Sequence, residues 1–153
     1  MSELLIAQGL QTIIRAMSEF ADADVTINGW DILDQTVLSA PYVIISTADA
    51  VDSRRDVTTA NTKWEISVTL FENFTDWQTT LNNFRARRQA LIDEFNEVGT
   101  NRSAGGLAAT AIDRIRSEGR IDPYYNPYLD EEMRMEAMPI FLYQRLLFSV
   151  EEY

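Results

Sequence analysis

The stretch Lys63-Trp64-Glu65-Ile66-Ser67-Val68-Thr69-Leu70-Phe71-Glu72 alternates without a break, placing Trp64, Ile66, Val68 and Leu70 on one side. A period of two marks a strand with one face on a core. The segment then runs into Thr75-Asp76-Trp77-Gln78, where Thr75 and Gln78 have capping-box spacing. A helical period follows through Trp77, Leu81, Phe84, Leu91, Phe95 and Val98, with Gly99 as the stop. One long strand feeding one long helix therefore anchors the fold.

Toward the C-terminus, Gly105 and Gly106 punctuate a loop over 101 to 106. In residues 107 to 118, Leu107, Ala111 and Ile115 suit a helix, but a strand from about Ala111 to Glu118 pairs better with the C-terminal segment, and a strand is expected. Residues 119 to 138 have no period, yet hold Tyr124, Tyr125, Tyr128, Met133, Met135 and Met138 among acids. Tyr and Met are enriched in interface cores. Pro139 opens a last strand with Ile140, Leu142, Leu146, Phe148 and Val150 on one face, interrupted by Gln144, and Phe141, Tyr143, Arg145 and Leu147 on the other. A strand apolar on both faces belongs at the centre of a sheet covered on each side.

Toward the N-terminus, residues 3 to 20 form an amphipathic helix through Ile6, Leu10, Ile13, Met17 and Phe20, with Leu5 and Ile14 widening the stripe. Short strands come next at Val25 to Trp30 and Pro41 to Thr47, flanking an irregular 31 to 40. Residues 46 to 62 are polar and aperiodic, which reads as a hairpin loop too long to be idle. The expectation is one α+β domain over 1 to 153: a mainly antiparallel central β-sheet packed by two amphipathic helices, with a long hairpin loop.

Composition removes whole classes of function. The chain of 153 residues holds 24 acids against 13 bases, a net charge of −11, so it has no general attraction for nucleic-acid phosphates. With no Cys and no His it lacks thiolate nucleophiles, imidazole bases and the usual zinc or haem ligands. The acids Asp130, Glu131, Glu132 and Glu136 read as a solvated face rather than a metal or acid-base pair, and neither enzymatic activity nor a cofactor is expected. No apolar run reaches the length of a membrane span, and Glu3 stands where a signal peptide carries positive charge, so a cytoplasmic protein is expected. Twelve of the thirteen bases are Arg, the cation suited to paired, interfacial contacts. Three of them, Arg85, Arg87 and Arg88, precede Asp93, Glu94 and Glu97 on the second helix, against the helix dipole. Something other than local helix stability has chosen that order, and pairing with acids of a neighbouring chain is the expectation.

The layout resembles the tail terminator (tail completion) proteins of long-tailed bacteriophages, the minor tail protein U-like family. The likeness rests on the N-terminal amphipathic helix, Pro41-Tyr-Val-Ile-Ile-Ser, the long polar loop, Trp64-Glu-Ile-Ser-Val-Thr-Leu-Phe-Glu running into a helix at Thr75-Asp76-Trp77, and the closing Pro139-Ile-Phe-Leu-Tyr-Gln-Arg-Leu-Leu-Phe-Ser-Val-Glu-Glu-Tyr153. The resemblance implies a structural virion protein of the tail and neck, assembled in the host cytoplasm as a homo-hexameric ring. It would cap the head-proximal end of the tail tube, stop the major tail tube protein from polymerising and meet the neck or head-completion protein. DNA would cross its acidic lumen without specific binding. Tube or neighbour contacts would fall on the arm over about 47 to 62, at Asp49, Asp52, Arg54, Arg55 and Asp56. Lateral ring contacts would fall on Arg85, Arg87 and Arg88, and on Tyr124, Tyr125 and Tyr128 in the loop over about 119 to 138. Rival readings are another head-tail connector, stopper or tube component and, more distantly, an acidic DNA mimic that inhibits a DNA-binding protein.

Overall fold

The computed structural model describes residues 3–34, 41–47, 54–58, 61–96 and 110–152. Helix α1 (Glu3–Ala16) leads through a 3₁₀ turn (Ser18–Phe20) to strand β1 (Asp24–Ile27), a second 3₁₀ turn (Trp30–Asp34) and β2 (Tyr42–Ser46). Then come β3 (Arg54–Thr58), β4 (Asn61–Asn73), α2 (Trp77–Asn96), β5 (Thr110–Tyr124), α3 (Glu131–Glu136) and β6 (Phe141–Glu152). The sheet runs β1-β2-β4-β6-β5, with β3 also on β4. Among the described strands β1 and β2 are parallel and the other pairs are antiparallel. This is the α+β architecture that the two periodicities require.

The alternation of β4 is obeyed throughout. Trp64, Ile66, Val68 and Leu70 join Leu142, Leu146, Phe148 and Val150 of β6 on the face that α1 and α2 cover. From α1 come Ile6, Leu10, Ile13 and Ile14, and from α2 come Phe84, Leu91 and Phe95, with Phe95 edge-on to Phe148 at 5.2 Å. Each fully buried aliphatic or aromatic side chain contributes about 1.5–3 kcal/mol. The stripe expected on α1 holds, but the helix stops at Ala16; Met17, extended ahead of the 3₁₀ turn, and Phe20 at its end complete the stripe in the core. Leu5 stands about half exposed. Gln11 and Arg15 both donate to the Val25 carbonyl, at 3.0 and 2.9 Å, and fasten α1 to β1.

Two stretches differ from the sequence reading. The polar segment after β2 contains β3, whose register continues the line of β2 along β4: Ser46 lies opposite Ser67 and Arg54 opposite Glu65. Along β4 only Ile66 separates the partners of β2 from those of β3, so the two strands lie on the same side of β4 in one line. Residues 48–53, with Asp49 and Asp52, lie outside the described residues. At the other end the strand expected over 111–118 extends to Tyr124, because a bulge absorbs the irregularity. Residues 119–121 oppose only Gln144, and Gly119 takes a left-handed φ of 66°. That conformation is open to glycine at no steric cost. The Gln144 Nε2 donates to the Gly119 carbonyl at 3.0 Å, so the polar residue that interrupts the apolar face of β6 holds this bulge.

The cap of α2 is also not the one expected. Asp76, rather than Thr75, accepts from the Thr79 N–H at 2.9 Å, while the Thr75 N–H donates to the Thr80 hydroxyl at 3.0 Å. Those bonds to Thr79 hold the Asp76 carboxyl below its ordinary pKa.

Candidate interaction surface

The second sheet face carries an aromatic patch at one end. Tyr42 of β2, Phe71 of β4, Phe141 and Tyr143 of β6 and Tyr124 of β5 lie side by side, as the registers dictate. Tyr124 stacks on Phe141 at 4.6 Å, and Phe141 meets Phe71 edge-on at 5.1 Å. The 3₁₀ turn Trp30–Asp34 lies over this patch. Trp30 packs edge-on to Phe71 at 6.5 Å, and the Tyr124 hydroxyl donates to the Leu33 carbonyl at 2.8 Å. Two further features place the turn: Asn28 takes a left-handed φ of 58° and closes a side-chain pair with Thr47, and the Tyr42 hydroxyl donates to the Gly29 carbonyl.

Between the turn and the sheet a cavity of about 330 Å³ remains, lined by Trp30, Leu33, Phe71, Tyr124 and Tyr143, with Thr69 and Arg145 at its polar side. The Thr69 hydroxyl is buried and has no hydrogen-bond partner, and the same holds for Ser67 two residues back on the same face. An unsatisfied buried polar group costs about 1–3 kcal/mol, so an orphan lining a cavity calls for an explanation. Arg145 pairs with Glu118, directly opposite on β5, and Arg116 approaches the same carboxylate at 3.8 Å.

Beyond Tyr124 the chain projects and returns. The Ile140 N–H donates to the Tyr124 carbonyl at 2.8 Å, closing a loop at its base. Within it the Asn126 side chain accepts from the Tyr128 N–H, and Asp130 caps α3 by accepting from the Met133 N–H at 2.9 Å. The acids at 130–132 therefore sit where a helix N-terminus favours them. Tyr128 is 81% exposed, Met133 56% and Met138 68%. Among the described residues β5 is paired only through β6, leaving the other edge of a fifteen-residue strand open.

The residues expected to make contacts separate into distinct groups. Arg87 turns inward: its Nε meets buried Glu72 at 2.8 Å, its Nη1 reaches Asp22 and the Glu19 carbonyl, and its guanidinium lies 6.0 Å from the centre of the Phe20 ring. Arg88 donates to the Gln144 Oε1 at 2.6 Å. Only Arg85 of the three is fully on the surface. Arg87 and Arg88 thus make contacts inside the subunit. Burial pushes the Glu72 carboxyl above its ordinary pKa despite the opposing pull of Arg87. Tyr124 is a wall of the cavity, Tyr125 is half-buried and Tyr128 is free of the core. Arg54, Arg55 and Asp56 belong to β3, where Arg54 is set across from Glu65 and Asp56 across from Lys63.

Sequence reasoning did not single out Thr69, Trp30, Leu33 or Arg145. The available signal was the doubly apolar β6, which demands a second packed layer without saying what forms it. Among the described residues no three acids gather as a metal cage, and no helix is long and apolar enough to cross a membrane. No protein-family model matches the chain, and no curated protein matches its sequence.

Proposed function

We propose that this chain is a structural subunit of a tailed-bacteriophage virion, a tail terminator. Copies close into a ring on the head-proximal end of the tail tube, end tube growth and offer the neck or head-completion protein its attachment surface. The observation that carries the reading is the β5 end of the sheet, where a fifteen-residue strand edge is open among the described residues and the segment that follows it exposes Tyr128, Met133 and Met138. Proteins that act alone blunt or cover such edges, and exposed large apolar groups beside one mark a surface meant for another chain.

Charge supports the same reading. Six copies would bring 66 negative formal charges together, which repels duplex DNA from a lumen wall and favours its passage over its capture. The repulsion also delays closure until a template holds the copies, so assembly is expected to strengthen with salt. A tube or connector component shares size and composition with this reading, but a tube subunit polymerises without limit. The deciding experiment adds the protein in small amounts to tail-tube protein during polymerisation and measures tube length by electron microscopy. Tubes that stop short and carry the protein at one end are expected. Unchanged lengths, or incorporation along the whole tube, would rule the terminator reading out.

A further inference from the structure

The cavity beneath the 3₁₀ turn and the projecting Tyr128 are complementary, and resting on the ring reading above we propose that they meet between copies: the Tyr128 side chain of one subunit enters the aromatic cavity of the next. The cavity, at about 330 Å³, lies at the small end of the 300–1,000 Å³ typical of ligand sites, and its walls are mainly aromatic. Among the described residues that line it, the buried Thr69 hydroxyl is the one orphan group. The natural occupant is therefore an apolar ring with a single polar tip. Among the exposed large apolar side chains of the described residues, only Trp77 and Tyr128 carry such a tip, and Trp77 already packs on Phe74 at 5.1 Å. Tyr128 stands clear of the core of its own subunit, and Asn126 fixes its turn. The backbone that presents the ring is thus held before docking.

Because the knob and the cavity are different parts of the same chain, the contact is head-to-tail, the type that generates closed rings when its rotation is suitable.

The test has two arms. In the first, the unassembled protein is titrated with p-cresol, the tyrosine side-chain analogue, while the Thr69 and Leu33 methyl signals are followed by NMR. Saturable shifts at both are expected, and Thr69→Val should weaken p-cresol about tenfold, the share of one hydrogen bond to a buried group, while leaving toluene unaffected. Absence of a saturable shift overturns the cavity as the site. In the second arm, assembly is measured for Tyr128→Ala, whose melting temperature should match the wild type because the side chain is 81% exposed. Loss of a tyrosine anchor should raise the assembling concentration about 30-fold or more. Tyr128→Phe and Thr69→Val should each weaken assembly, and together no further than either alone. A Tyr128→Ala protein that forms rings like the wild type overturns the contact and leaves the ring reading standing. A wild type that takes up p-cresol yet never assembles, alone or on tubes, overturns the ring reading and with it the second copy as occupant.

Discussion

Replacing Arg87 by Met would remove the partner of a carboxylate that the fold has taken out of water. The Glu72 side chain is 6% exposed and meets Arg87 at 2.8 Å, whereas Arg87 itself keeps 22% of its side chain in solvent. Breaking a buried pair by deleting one member costs about 3–5 kcal/mol, and the partial hydration of Arg87 puts this case at the lower end, about 3 kcal/mol near pH 8. Met preserves the packing of the stem, so the loss reports the charge rather than a void. For a chain of this length, 3 kcal/mol lowers the melting temperature by roughly 6–12 °C. The pH dependence has a definite sign. Burial already raises the folded-state pKa of Glu72, so the folded protein binds its proton more tightly than the unfolded chain does. This group's penalty is therefore full at high pH and relaxes as pH falls through the folded-state pKa. Without Arg87 that pKa rises further, and the deficit of the variant should be smaller at pH 5 than at pH 8. Adding Glu72→Gln should recover most of the loss, because no buried charge then remains. The assay is urea unfolding followed by circular dichroism at the two pH values. A deficit below about 1 kcal/mol at pH 8, or one equal at both, would refute the reasoning.

Three other substitutions probe separate parts of the fold. Gly29→Ala places a Cβ 2.4 Å from the Thr26 Oγ1 and 2.6 Å from the Tyr42 hydroxyl, so the β1–β2 crossover must shift, costing roughly 1–3 kcal/mol in a denaturant melt. Tyr124→Phe keeps the stacking on Phe141 but gives up the bond to the Leu33 carbonyl, which should cost about 1 kcal/mol in the same melt and loosen the 3₁₀ turn, read as faster amide exchange there. Asp76→Ala removes the cap of α2. Since bonding to Thr79 lowers the folded-state pKa of Asp76, its stabilisation is complete above the unfolded pKa, and the gap between wild type and variant should close as pH falls through the folded value.

Much of this architecture was legible because period-two and period-3.6 patterns are enforced by burial. Trp64, Ile66, Val68 and Leu70 had to share a face, and so did Phe84, Leu91 and Phe95. What escaped the sequence was decided by side chains meeting across large separations. Arg87 and Arg88 look like a surface cluster until β4 and β6 bring Glu72 and Gln144 to them. The bulge at Gly119 hides the continuity of β5, because a break in alternation looks the same whether a strand bends or ends. β3 is short and polar, and it becomes a strand by pairing with an already long β4. The cavity was least visible of all, since it needs a crossover turn, three strands and an orphan hydroxyl to converge.

The most direct test of the proposed tail-terminator role is negative-stain electron microscopy of the purified protein mixed with tail tubes of a long-tailed bacteriophage, with the mass of the free protein measured by light scattering. Rings of six subunits, or a cap at one end of each tube, are the outcome expected of a tail terminator. A protein that stays monomeric and leaves both tube ends bare would contradict it.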